Sequence, residues 1–149
     1  MRALIQRVSK GSVNIISESY SKQISRGMVI LLGISEDDTS KEVEYVAEKC
    51  SNLRIFEDEN EKMNLSIKDI DGEVLLISQF TLYGDTRKGN RPSFNKAAKP
   101  DEAEELYNYF AEKLKNILGE TKVKEGIFGA MMEVEIINDG PVTVLVESK

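Results

Sequence analysis

The stretch from Glu73 to Gly84 constrains this chain more than any other. Val74-Leu75-Leu76-Ile77 is an unbroken aliphatic run, and Ser78-Gln79-Phe80-Thr81 follows it directly. A short continuous run of this kind predicts a strand buried on both faces. A chain of 149 residues holds one domain with a real core, here taken as residues 1–149, and has room for few such strands. This one is therefore expected near the centre of a sheet. Its polar end is the first candidate site, because open sheets place ligands where buried strands emerge.

The flanking sequence builds the rest of that sheet. Leu4 to Val8 and Ser12 to Ile15 alternate in polarity on either side of Gly11, which predicts two strands joined as a hairpin. Tyr20 to Ser25 reads as a weaker strand, and Gly27 to Gly33 as a second central one. Thr39 with Glu42 three residues on fits a capping box, and Val43, Val46, Ala47 and Cys50 recur at helical spacing, so a helix is expected from about Ser40 to Asn52. Leu53 to Phe56 reads as a short strand, and the acids from Glu57 to Glu61 as a solvated loop.

Pro100 opens the strongest helical pattern, to about Leu118, with acids in its first turns, lysines near its end and Gly119 to stop it. Gly126 to Met131 is apolar and broken by glycines. Met132 to Asn138 and Val142 to Val146 read as strands around a tight turn at Asn138-Asp139-Gly140-Pro141. Hairpins at both ends and helical crossovers between them imply a mixed α/β fold. Its sheets are mixed and largely antiparallel, with helices packed on one side, as layered α/β/β.

Absences narrow the chemistry. No histidine occurs, which removes Ser-His-Asp and Cys-His catalysis and the commonest zinc ligand. The single cysteine falls on a predicted apolar helix face, where a packed thiol is expected, and the acid cluster lacks the spacing of a metal loop. Neither metal nor cofactor is expected. No apolar run approaches the roughly 20 residues that span a bilayer, and the N-terminus lacks the apolar block of a secretory signal, so a cytoplasmic protein without a membrane partner is expected.

The net charge of −6 argues against a nucleic-acid partner until its distribution is considered. From Thr86 to Lys99 the chain carries Arg87, Lys88, Arg91, Lys96 and Lys99 and no acid. Arg87, Lys88 and Arg91 are the candidate phosphate contacts, on a long loop between Gly84 and Pro100 with a short helical turn around Ser93 to Ala98.

Blocks over the whole length resemble the D-aminoacyl-tRNA deacylase family. They are Met1-Arg2-Ala3 with Gln6-Arg7-Val8-Ser9, and Asn52 to Asp58 with Lys62 to Ser66. Ser78 to Asp85, Arg87 to Phe94, and Asn138 to Thr143 complete the set. The resemblance implies hydrolysis of the ester between a D-amino acid and the 3′-terminal adenosine of tRNA, with glycyl-tRNA also accepted. It implies a homodimer in which Gly140-Pro141, joined by a cis peptide bond, enters the partner's active site and rejects L-aminoacyl groups by collision. Ser78, Gln79, Phe80 and Thr81 match the catalytic motif. Arg7 resembles the arginine holding the Gly-Pro element, and Phe128, Gly129 and Met131 are expected to line the adenine pocket.

Two mechanisms stay open. Thr81 acts as a covalent nucleophile, or the Phe80 and Thr81 amides hold an oxyanion while water attacks, helped by the ribose 2′-hydroxyl. The lack of any evident base beside Thr81 favours the second. The alternative from another class is a non-catalytic RNA-binding module using the basic loop at 86–99.

Overall fold

The structure, a computed structural model, describes residues 1–148. Strand β1 runs from Arg2 to Ile15, β2 from Tyr20 to Ile24, and β3 from Gly27 to Gly33. Helix α1 spans Ser40–Asn52, followed by β4 at Phe56–Glu57, β5 at Met63–Leu65 and β6 at Glu73–Ser78. Helix α2 spans Pro100–Leu118, then come β7 at Val123–Glu125 and β8 at Glu133–Glu147. The main sheet has the order β2-β1-β3-β6-β7, with β8 on the free side of β1, while β4 and β5 form a separate pair.

Strand β6 lies between β3 and β7, one strand in from the β7 edge rather than at the centre of the sheet, and is parallel to both. Its aliphatic residues divide between two cores. Val74 and Leu76 face the helices with Met28, Ile30 and Leu32 of β3, against Val46, Cys50, Phe110 and Leu114. Leu75 and Ile77 face away with Val29, against Val8, Val13, Ile15 and Ile24 of β1 and β2. A strand between two apolar layers has no polar face, which is why this run shows no alternation. Each fully buried aliphatic side chain is worth about 1.5–3 kcal/mol relative to exposure, so β6, like β3 beside it, anchors both layers. The layered α/β/β expectation holds, with both helices on one side.

Two expected hairpin turns are corrected. Gly11 is not a turn: β1 is continuous through it, and Gly11 pairs with Ile24 of β2. A Cβ there would lie 3.1 Å from Val29 Cγ2, so the glycine permits a close approach across the second core. The actual turn is a short 3-10 helix at Ile16–Glu18, closed by Ser19 in the left-handed region at φ 48°.

Asn138 to Pro141 is likewise not a tight turn between two strands. β8 runs through it, paired with β1 on both sides. Gln6 pairs with Thr143 and Val8 with Asn138, so Arg7 alone faces the extra residues 139–142. That is a large bulge, and bulges of this kind re-aim backbone and side chains. The Gly140–Pro141 peptide within it is cis, as the resemblance implies.

Smaller expectations shift as well. The strand placed at Leu53 to Phe56 is confined to Phe56–Glu57, whose partner β5 supplies the pairing. The helical turn around Ser93 to Ala98 is a single bond from Ala97 N–H to Phe94 C=O. Both helices begin and end where the spacing predicts, and the Thr39–Glu42 capping box forms. Among the described residues no helix is long and apolar enough to cross a membrane.

Candidate functional site

The parallel trio β3, β6 and β7 points its carboxyl ends the same way, and three loops leave from that edge. They are Ser35 onward, Gln79 onward and Gly126 onward. The sequence places most candidate residues on the last two. Leu32 pairs with Ser78, and the Gln79 amide donates to Leu32 C=O at 2.8 Å, carrying the sheet one residue past β6. Phe80–Tyr83 then forms a 3-10 helix, with bonds from Leu82 N–H to Gln79 C=O at 3.2 Å and from Gly84 N–H to Thr81 C=O at 2.9 Å.

The amides of Phe80 and Thr81 have no hydrogen-bond partner among the described residues. The opening amides of a helical turn are the ones left without an internal acceptor. Two adjacent free donors at the mouth of a buried strand suit an oxygen that gains negative charge. Around them, Ser78 and Gln79 are half-buried, while Phe80 and Thr81 are exposed. The Gln79 side-chain amide donates to the Thr81 hydroxyl. No carboxylate or amine bonds to Thr81, so nothing among the described residues would remove its proton.

The turn is braced from outside the motif. Arg2 donates from Nη1 to Leu82 C=O at 2.8 Å, lies 4.6 Å from the Tyr83 ring centre, and pairs with Glu147 at 3.2 Å. Burial, with Asp38 and Glu147 adding to it against Arg2, pushes the Tyr83 hydroxyl up to about 12, so it stays protonated. Sequence reading missed Arg2 as a support, because a lone arginine at a strand start carries no such signal.

The third loop is split. Phe128 packs on Tyr107 of α2, ring centres 5.8 Å apart, and Tyr107 donates to Leu76 C=O at 3.0 Å. Gly129 is exposed with φ 78° and open space where a Cβ would stand, while Ile127 and Ala130 pack on the second core. Met131 is 91% exposed and lines a groove of about 310 Å³ with Asn14, Ile16, Ser17, Met132 and Glu133. Phe128 and Met131 therefore face different surroundings.

Arg7 and Gly140-Pro141 lie elsewhere. Arg7 pairs with Met28, four residues back along β3 from Leu32, about 13 Å down the strands. The bulge stands three strand spacings across from β6, about 14 Å along the sheet. Arg7 is only 5% exposed. Its Nε donates to Asp139 C=O at 2.9 Å and its Nη1 to Ile55 C=O at 2.8 Å, while Glu57 and the Asp139 carboxylate approach at 3.8 and 3.6 Å. The guanidinium thus fixes the residue before Gly140. Gly140 and Pro141 themselves are exposed.

Of the basic residues, Arg87 is already engaged. It holds Asp85 through two bonds of 2.9 and 2.7 Å, and this pairing keeps the Asp85 carboxyl at about 2. Lys96 pairs with Glu36 at 3.4 Å. Lys88 and Arg91 are exposed and form no ion pair among the described residues. Among the described residues no group of three histidine, cysteine or acidic side chains could hold a metal. Burial pushes the Cys50 thiol up to about 12, so it is inert.

These features define a class of small mixed α/β proteins with a backbone-built polar site at a strand mouth. The model of the D-Tyr-tRNA(Tyr) deacylase family matches residues 4–147, and the chain belongs to that family. D-aminoacyl-tRNA deacylases of Koribacter versatilis and Bacillus cereus are each 56% identical to it, over 100% of this chain and 98% and 100% of theirs. A solved structure of a c-Myc DNA unwinding element binding protein superposes with a TM-score of 0.94 at 44% identity, covering 100% of this chain and 99% of that one. A probable eukaryotic D-amino acid tRNA deacylase, 17% identical with a TM-score of 0.84 over 97% of both chains, shares the fold.

Proposed function

We propose that this chain hydrolyses the ester between a D-amino acid and the 3′-terminal adenosine of tRNA, in the cytoplasm, releasing free D-amino acid and tRNA. The observation that carries the reading is the pair of free amides at Phe80 and Thr81, in a family member whose 56%-identical relatives are D-aminoacyl-tRNA deacylases. A water oxygen attacks the ester carbonyl carbon. The carbonyl oxygen becomes an oxyanion held by the two amides. The bond to the ribose 3′-oxygen then breaks, and that oxygen takes a proton. With no base on Thr81, the neighbouring 2′-hydroxyl orients the water, and proximity supplies much of the rate. Gln79, whose side chain bonds the Thr81 hydroxyl, and Ser78 contact the substrate's polar groups.

Chirality is read by the Gly140-Pro141 corner of a second copy. What supports a second copy is distance: the corner is exposed and lies at the other end of the sheet from its own chain's Thr81. A backbone wall so placed collides with an L side chain and passes hydrogen or a D side chain. Lys88 and Arg91 supply phosphate contacts, and Gly129 leaves room beside the adenosine. The test is deacylation of D-tyrosyl-tRNA against L-tyrosyl-tRNA. Turnover of the D form alone is expected; equal turnover of both forms sinks the chiral reading, and no turnover of either sinks the hydrolase and leaves a non-catalytic RNA-binding module.

A further inference from the structure

Two aromatic rings stand in water at the edge of the catalytic turn. Phe80 is 58% exposed and Phe94 37% exposed, with ring centres 5.1 Å apart and planes at 69°. Single exposed apolar residues are ordinary. These two differ in how firmly they are held. A Cβ on Gly84 would come within 3.0 Å of Phe94 Cε1, so the ring lies directly over that glycine. The loop is clamped just before Phe94 by paired bonds between Asp85 and Ser93, at 2.7 and 3.0 Å. It is clamped again just after, by Glu36 N–H to Lys96 C=O and Ala98 N–H to Ile34 C=O, both 2.9 Å.

Lys88 and Arg91, two cations without an acidic partner among the described residues, sit on the same clamped loop. A rigid aromatic face beside free cations is how proteins hold unpaired bases: the ring stacks the base and the cations take phosphates. Resting on the function proposed above, the geometry points to Phe94, propped by Phe80 and Gly84, as the platform for the nucleobase immediately before the terminal adenosine. The ester fixes the terminal nucleoside at Phe80 and Thr81. The Phe94 ring lies one ring spacing, 5.1 Å, from that of Phe80, on the loop that carries the cations. Stacking does not read base identity, so the platform serves every tRNA end.

Uncharged tRNA carrying 2-aminopurine at the penultimate position reads the stack directly. Wild type quenches its fluorescence on binding, Phe94→Trp does the same, and Phe94→Leu does not. In turnover, Phe94→Leu raises KM for D-tyrosyl-tRNA roughly tenfold, with kcat little changed. Hydrolysis of D-tyrosyl-adenosine, which lacks the preceding nucleotide, stays at the wild-type rate. An abasic penultimate site costs wild type the same and costs Phe94→Leu nothing more. Equal losses on both substrates, no loss on either, or retained quenching in Phe94→Leu overturns the platform. So does a change of oligomeric state in that variant, which would mean that a second copy covers the rings. Failure of wild type to hydrolyse either substrate would remove the parent function instead, and the fluorescence arm still decides the stack.

Discussion

The two ends of β3 organise their polar groups by opposite means. At the carboxyl end, the turn at Gln79 to Gly84 is formed by main-chain bonds and braced from outside by Arg2, while Phe80 and Thr81 point outward. At the amino end, the bulge at 139–142 is held by one buried side chain, the Arg7 guanidinium. A site formed by main-chain bonds tolerates change of its own side chains and fails when something crowds the backbone. A side-chain-held site fails when that side chain goes.

The largest effect is therefore expected at Arg7. Arg7→Ala strips donors from Asp139 and Ile55 carbonyls and leaves a void beside Glu57. A loss of about 3 kcal/mol is expected, since buried acceptors lose charged donors, measured by urea unfolding. Under conditions where the variant remains folded, discrimination between D- and L-tyrosyl-tRNA should fall as the Gly-Pro corner loosens. Arg7→Lys keeps the charge but cannot fork to both carbonyls, so it should fall between. Unaltered stability in Arg7→Ala would break the contrast between the two ends.

Crowding the other end comes next. A Cβ on Gly33 would sit 3.0 Å from Leu82 Cβ and 3.1 Å from Gln79 C=O. Gly33→Ala should push the turn by a few tenths of an ångström. Misplacing aligned donors by that much costs roughly tenfold in kcat, with stability within about 1 kcal/mol of wild type. A kcat equal to wild type would show that the turn needs no such exactness. Thr81→Ala should cost less, within about tenfold, because the site is made of amides; a loss of about a thousandfold or more is the signature of a covalent threonine.

How much of this was legible follows the same division. β6 was readable because a strand between two cores needs an unbroken aliphatic run, and α1 and α2 because caps and spacing are local. The supposed turns at Gly11 and Gly140-Pro141 were misread for one physical reason. Glycine and proline signal a turn in a short window, yet β1 and β8 pair along their whole lengths, and that long-range ladder absorbs both irregularities. The site residues were recognisable as a motif, but their separation along the sheet was not. Nor could spacing show that Asp85, one position before the acid-free stretch, neutralises Arg87.

That pair yields the smallest effect and the sharpest test of what the basic loop does. Asp85 titrates at about 2 because Arg87 bonds to it, below the ordinary carboxylate value of about 3.9. A depressed carboxyl contributes above its unfolded value and loses that contribution as pH falls through about 2. The clamp is thus intact at every working pH, and the salt dependence of tRNA binding should not change between pH 5 and 8. Lys88 and Arg91 then set that dependence. Lys88→Ala should flatten the slope of log affinity against log salt by about 0.7, one phosphate contact on a single strand. Asp85→Asn should steepen it by up to the same amount, because Arg87 is released while the backbone bonds to Ser93 remain. If Asp85→Asn leaves the slope alone and Arg87→Ala flattens it, Arg87 reaches phosphate despite its partner, and the loop binds through three cations rather than two.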